Sequence, residues 1–241
     1  MRLRKLIQGA IAGMALSITG AAAETPKDTL VVADAIDDVI TLDPGEVSEI
    51  GGVLTTNQVY QQLVGFDPAD PATIVGILAK SWTVAEDGVT FTFTMDRAAR
   101  FASGNPVTAH DAEYSLRRIV KMKSRSAFIT TQFGFTPENV DEMIKATDDD
   151  TLVVKIGEPY APSFFLYCLS SYVGAIVDSN TVKAHEVNGD FGNAWLKSEN
   201  SAGSGPFVLT KWAPKESITL SRNDNFWGTA PTLKRIVLRH V

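Results

Sequence analysis

Ala79-Lys80-Ser81-Trp82-Thr83-Val84-Ala85-Glu86-Asp87-Gly88-Val89-Thr90-Phe91-Thr92-Phe93-Thr94-Met95 is the stretch on which the fold turns. Phe91, Phe93 and Met95 fall on one face of an extended chain, and Thr90, Thr92 and Thr94 on the other, the period-two pattern of a half-buried strand. Glu86-Asp87-Gly88 supplies turn chemistry before it, and Ser81 to Val84 the partner strand, so the segment reads as a hairpin. Immediately downstream, Thr108 with Asp111 three residues later imitates a capping box. Ala112, Leu116, Ile119 and Val120 follow at helical spacing, which predicts a helix over 109–122.

The same reading carries outward in both directions. Leu30, Val31 and Val32 predict a short buried strand within Thr29–Ala35, followed by a turn at Asp43-Pro44-Gly45 and a helix opened by Gly51 and Gly52 that carries Val53, Val59, Tyr60, Leu63 and Val64. Val140–Lys145 and Thr151–Ile156 read as a second hairpin across Asp148-Asp149-Asp150. Pro162 opens a helix with Phe164, Phe165, Leu166 and Leu169. Val173–Val177 is expected as a short strand and Thr181–Val187 as a short helix. Strand signals return at Phe207–Trp212, Ser217–Ser221 and Leu233–Val241, after a Gly and Ser cluster at 201–205 that marks a crossing between lobes. Strands interleaved with helices and hairpins predict a mixed α/β protein, not an all-parallel sheet.

Composition narrows the function classes. The 241 residues are 44% hydrophobic and 21% charged, a globular balance, and the net charge of −6 lacks the basic field that a nucleic-acid binder needs. Cys168 is the single cysteine, which excludes an intramolecular disulfide and a Cys-rich zinc site. Arg2, Arg4 and Lys5, the apolar stretch Leu6–Ile18 and the small residues Gly20 to Ala23 have the order of a cleavable signal peptide over residues 1–23. The segment has no cysteine for lipid attachment and is shorter than the roughly 20 residues of a spanning helix. Cleavage removes three positive charges and no acid, leaving a more acidic, exported, soluble chain that starts at Glu24.

The side chains that invite chemistry have structural readings. His110, Asp111 and Glu113 crowd the first turn of a helix, where acids meet unpaired N–H groups; capping accounts for them better than metal binding. Asp148-Asp149-Asp150 lacks the later Gly and Glu of a calcium loop and reads as a solvated turn. Gly203-Ser204-Gly205 has no following Gly-Lys-Ser/Thr, and Pro206 removes a donor, so it reads as a turn and not a phosphate loop. No Gly-x-Ser-x-Gly elbow is present. Cys168 and the four tryptophans, Trp82, Trp195, Trp212 and Trp227, are read as packing residues. No nucleophile, metal or cofactor is nominated, and the chain is not expected to be an enzyme.

Several stretches in order resemble the family 5 extracytoplasmic solute-binding proteins of dipeptide and oligopeptide ABC importers. They are Ala79 to Phe93; Phe101-Ala102-Ser103-Gly104-Asn105-Pro106-Val107-Thr108-Ala109-His110-Asp111-Ala112-Glu113-Tyr114-Ser115; Gly203-Ser204-Gly205-Pro206-Phe207; and Arg222-Asn223-Asp224-Asn225-Phe226-Trp227-Gly228. Leu42-Asp43-Pro44 and Tyr60–Phe66 match the early part of the same pattern. Ser103, Asp224 and Phe226 depart from it, where an acid, a proline and a tyrosine are common. The resemblance implies a lobe of the type II periplasmic-binding-protein kind with an inserted subdomain. Its expected parts are a signal peptide at 1–23, a first part of lobe I at 24–60, the insertion and connection at 61–200 and the return of lobe I at 201–241. Family members are about twice as long, so the chain, which stops inside a predicted strand, is expected to be a truncated form without lobe II.

The resemblance further implies a periplasmic monomer that binds a small peptide or similar solute and delivers it to an ABC permease and, through it, to ATPase subunits. It touches the membrane only through that permease. The ligand contact of the first lobe maps to Ser48, Glu49 and Ile50. Other solutes handled by the family, a nickel complex, haem or an oligosaccharide, are the alternatives; an exported hydrolase is the rival from another class.

Overall fold

The computed structural model describes residues 24–241; the expected signal segment, 1–23, lies outside the described residues. In chain order the first half comprises β1 (Thr29–Asp34), α1 (Ile50–Val59), β2 (Gln61–Gln62), β3 (Val64–Phe66), β4 (Ile74–Gly76), β5 (Ala79–Val84), β6 (Thr90–Met95) and α2 (Ala109–Met122). The second half comprises α3 (Phe128–Thr131), α4 (Val140–Met143), β7 (Ile144–Ala146), β8 (Thr151–Lys155), α5 (Pro162–Leu169), β9 (Ala175–Ile176), α6 (Ser179–Ala184), α7 (Asn193–Leu196), β10 (Phe207–Ala213), β11 (Ser217–Arg222) and β12 (Arg235–His240). Short 3₁₀ turns occupy Arg125–Ala127 and Tyr172–Gly174. Among these elements no helix is long and apolar enough to cross a membrane.

The deciding hairpin forms as β5 and β6, with Trp82 opposite Phe93 and Val84 opposite Phe91. β6 continues onto β8 and β8 onto β7, giving an antiparallel sheet in the order β5-β6-β8-β7. Phe91, Phe93, Leu152 and Val154 point to one side of this sheet and are fully buried with Phe133 and Phe165. α2 starts where its sequence says it should: Thr108 Oγ1 and Asp111 close a capping box, with Asp111 Oδ2 accepting from the Thr108 backbone N–H at 2.9 Å.

A second sheet, β1-β12-β11-β10, joins the two ends of the chain: β1 pairs β12 in parallel, and β12, β11 and β10 are antiparallel neighbours. Its core face carries Ile218, Leu220, Ile236, Leu238 and Trp212. These pack against Val59 and Tyr60 of the α1 end and against Ala175, Val177, Val182 and Leu196. α2 lies between the sheets, touching β7 and β8 on one side and β9 and α6 on the other.

Four expectations need correction. The helix expected to carry Leu63 and Val64 ends at Val59, because Tyr60 turns extended and the chain enters β2 and β3, which pair with β9 and β4. β1 is formed but not buried: Leu30 and Val31 are each 43% exposed, because β1 is the sheet's edge strand and has a neighbour on one side only. Val140–Met143 is a helical turn. Thr136 and Asn139 exchange side-chain to backbone hydrogen bonds ahead of it, and Val140 N–H donates to Thr136 O at 3.0 Å, a local turn that competes with the strand propensity of the segment. The strand expected over Val173–Val177 shortens to Ala175–Ile176, since Gly174 closes a 3₁₀ turn whose backbone passes so near Leu169 O that a Cβ would lie 1.9 Å from it. Of the tryptophans, Trp212 is core, and Trp82, Trp195 and Trp227 are partly buried against the two cores.

Candidate functional site

The loop after β1 is built around one buried ion pair. Asp43 sits in the predicted turn, its Oδ1 accepting from Gly45 N–H at 2.9 Å. Arg118, on α2, meets the same carboxylate in a two-pronged contact, Nη1 to Oδ1 at 2.8 Å and Nη2 to Oδ2 at 2.5 Å. The two side chains are 1% and 0% exposed. Arg118 Nε donates to Phe191 O at 2.7 Å and Asn193 Nδ2 to Asp43 Oδ2 at 2.7 Å, so both charges are hydrogen-bonded beyond their mutual contact. Burial alone pulls the Arg118 pKa down, but the hydrogen bonds and charge of Asp43 outweigh it and hold the guanidinium above its ordinary value. A buried pair of this kind is costly to break, because removing one partner strands the other.

From this anchor the chain is fastened residue by residue. Glu46 and Val47 N–H groups donate to Asp43 O. Ser124 Oγ donates to Gly45 O at 2.6 Å, and Ser126 Oγ to Val47 O at 3.0 Å. Glu46 is held by Asn193 at 2.9 Å and by Lys197 at 2.8 Å. Gly51 and Gly52 let the start of α1 press onto this loop; a Cβ on Gly52 would lie 2.5 Å from Val47 Cγ2.

The fastening ends at Val47, and the chain emerges at Ser48. Ser48 and Ile50 are exposed, Ile50 at 76%, with Glu49 between them half-buried as the N-terminal flanking residue of α1. The Glu49 carboxylate folds back on its neighbour, accepting from Ser48 N–H and Oγ at 3.2 Å each, and does not cap the helix. The structure therefore gathers the three residues expected to meet a ligand at one open margin, on a rigidly braced base. Leu54, one turn beyond Ile50, extends this surface. Arg125 and Phe128 belong to the turn that braces the loop through Ser124 and Ser126, and Phe128 is 65% exposed. Sequence reading passed over these two. The hydrogen bonds that bring them to the loop span 79 residues and leave no local periodicity.

This margin offers a carboxylate for a cation, a hydroxyl, backbone groups next to an extended residue, and apolar surface for a side chain. The other singled-out side chains have structural work. Asp111 caps α2 and, through Oδ1, accepts from Ser179 N–H at 3.0 Å. Glu113 pairs with Arg117 at 2.7 Å and accepts from Ala146 N–H. His110 stands 3.8 Å from Glu113 and 3.7 Å from Asp149. Asp150 pairs with Arg97. Gly203 and Gly205 thread past the end of α1, Gly205 N–H donating to Val59 O at 2.9 Å. Cys168 is half-buried, and burial pushes its thiol pKa up, away from thiolate reactivity.

Comparison with known proteins gives a consistent picture. The family model of bacterial extracellular solute-binding proteins, family 5 middle, matches residues 73–241. A probable D,D-dipeptide-binding periplasmic protein of Escherichia coli is 32% identical over 229 residues, which are 94% of this chain and 42% of that protein. The nickel-binding periplasmic protein of Escherichia coli is 29% identical over 213 residues, 86% of this chain and 38% of that one. Among solved structures, an ABC transporter-associated periplasmic binding protein of Helicobacter pylori, in complex with the peptide STSA, superimposes with a TM-score of 0.70 at 26% identity. That match covers 88% of this chain and 42% of the other. The chain thus spans about two fifths of the length of the relatives it matches.

Proposed function

The chain belongs to the bacterial extracellular solute-binding proteins of family 5, and from that premise we propose that it captures short peptides in the periplasm and presents them to an ABC permease. The fold is that of the type II periplasmic binding proteins. Ligand capture in this reading is noncatalytic, and the permease is driven by ATPase subunits that this chain never touches. The observation that carries the proposal is the braced loop Asp43–Val47 with Ser48, Glu49 and Ile50 at its open end. Glu49 meets the peptide amine, the backbone of the segment pairs with the peptide in strand fashion, and Ile50 and Phe128 flank the first side chain. Backbone pairing of this type ignores most side-chain identity, which suits a carrier of many peptides.

We propose the domain organisation expected from the sequence, adjusted at the end of the insertion and connection placed at 61–200. The sheet β1-β12-β11-β10 is the first lobe, and the sheet β5-β6-β8-β7 with α5 is the inserted subdomain. The packing of Ala175, Val177, Val182 and Leu196 on the first sheet supports assigning the stretch from 175 to 200 to the lobe side of that insertion.

Isothermal titration of the purified exported protein with dialanine, trialanine and Ni²⁺–histidine tests the reading. Peptide binding that Glu49→Ala weakens at least tenfold supports it. Binding of the nickel complex alone, or peptide binding that ignores both Glu49→Ala and Phe128→Ala, overturns it.

A further inference from the structure

At the other end of α1 lies an open cleft of about 610 Å³ that the peptide reading does not use. Its position follows from the sheet. The start of α1 sits by the Asp34 end of β1, where a Cβ on Gly51 would come within 3.6 Å of Asp34 Oδ2. The end of α1 meets Gly205, just before Phe207, which pairs with Arg222 at the opposite end of the sheet. Ten helical residues at about 1.5 Å each separate the two ends by roughly 15 Å.

No residue lining this cleft is charged, in a chain with 21% charged residues. Its walls are aromatic and amide: Phe66, Tyr172 and Phe226 among the rings, and Asn57, Gln61 and Gln62 among the amides. Gln61 Oε1 is fixed by Trp227 Nε1 at 2.9 Å, which orients its amide N–H groups. The Asn57 and Gln62 amides and the Tyr172 hydroxyl have no hydrogen-bond partner among the described residues. The aromatic wall also continues outward: Phe66 stacks on Tyr167 with centroids 5.6 Å apart and planes 21° from parallel, and both rings are exposed. Exposed stacked rings beside unpartnered amides, with no charge, match a ligand that has apolar faces, a rim of hydroxyls and no ionised group. A charged ligand would find no counter-ion there.

We propose that this cleft is a second binding site, specific for an uncharged sugar unit, at the opposite end of α1 from the peptide-contacting loop. A pyranose ring lays its C–H face on Phe226 or Phe66, and its hydroxyls exchange hydrogen bonds with Asn57, Gln62 and Tyr172. Saturation-transfer NMR on the exported protein, with glucose, N-acetylglucosamine and maltose as probes and glucuronate as the charged control, tests it. The expected result is transfer to the ring protons of at least one neutral sugar, exceeding that to glucuronate. Its dissociation constant rises about tenfold in Phe226→Ala. Tyr172→Phe and Gln62→Ala, which remove only polar groups, decide the matter if Phe226→Ala fails to fold; each is expected to weaken binding severalfold. Absence of transfer to all three neutral sugars, equal transfer to glucuronate, or undiminished binding in the folded variants overturns the proposal.

Discussion

Replacing Arg118 by methionine keeps most of its aliphatic volume and removes the charge that Asp43 answers. In the native protein the guanidinium spends two prongs on Asp43, at 2.8 and 2.5 Å, and its Nε on Phe191 O at 2.7 Å. With Arg118→Met, Asp43 stays 0% exposed and keeps only neutral donors, Gly45 N–H and Asn193 Nδ2. Breaking a buried pair from one side costs about 3–5 kcal/mol. At about 2–4 °C per kcal/mol for a chain of this size, that lowers Tm by roughly 6–20 °C. Asp43→Leu should cost a similar amount, because it strands the guanidinium instead. Asp43→Leu combined with Arg118→Met should cost well below the sum, since neither charge is then left alone. Urea unfolding of the four proteins measures this cycle. The Val47 amide, which donates to Asp43 O, should exchange with solvent faster in each single variant. Additive single costs, or an Arg118→Met cost under about 1 kcal/mol, would refute the claim that this pair fastens the loop Asp43–Val47.

Thr108→Ala opens the capping box of α2 and should cost about 1 kcal/mol, read as a shift of the urea midpoint at unchanged m. Gly203→Ala should prevent recovery of folded protein, since the new Cβ would stand 1.9 Å from Val59 O, a backbone atom that cannot swing away; a protease-resistant Gly203→Ala protein contradicts that packing. Asp178 caps α6 and also accepts from Ser103 Oγ at 2.7 Å and Asn105 Nδ2 at 2.9 Å, tying the loop before α2 to the start of α6. Burial raises its pKa, but the hydrogen bonds from Ser103, Thr181 and Asn105 outweigh burial and hold the carboxyl below the usual range. Its contribution is therefore complete above the unfolded value of about 3.9 and is lost as pH falls towards the lower folded value. Wild-type protein should accordingly lose more stability between pH 5 and pH 3 than Asp178→Asn does, and parallel losses in urea melts at the two pH values would exclude this role.

Local signals were the legible ones. The Phe91, Phe93 and Met95 alternation gave the hairpin, and the Thr108 and Asp111 pair gave α2 with its observed limits, because each rests on neighbours within one turn or one strand. Leu30 and Val31 misled on burial, since a strand's place at the centre or edge of a sheet depends on partners some 200 residues away. Val140 to Met143 misled on type, because the turn closed by Thr136 and Asn139 decides there and apolar spacing does not. At the candidate site, motif resemblance nominated Ser48, Glu49 and Ile50. It did not disclose the pairing of Asp43 with Arg118 or the exposure of Phe128. Arg118 sits among apolar helix positions, and nothing in its own neighbourhood announces an acid 75 residues upstream.

The most direct test of the proposed peptide contact is amide chemical-shift mapping of the isotopically labelled protein during titration with trialanine. Shifts concentrated at Ser48, Glu49 and Ile50, with a second group at Arg125–Phe128 and little change in the β5-β6-β8-β7 sheet, are predicted. Trialanine that moves no resonance in 48–50, or that moves only residues remote from this margin, would contradict the assignment.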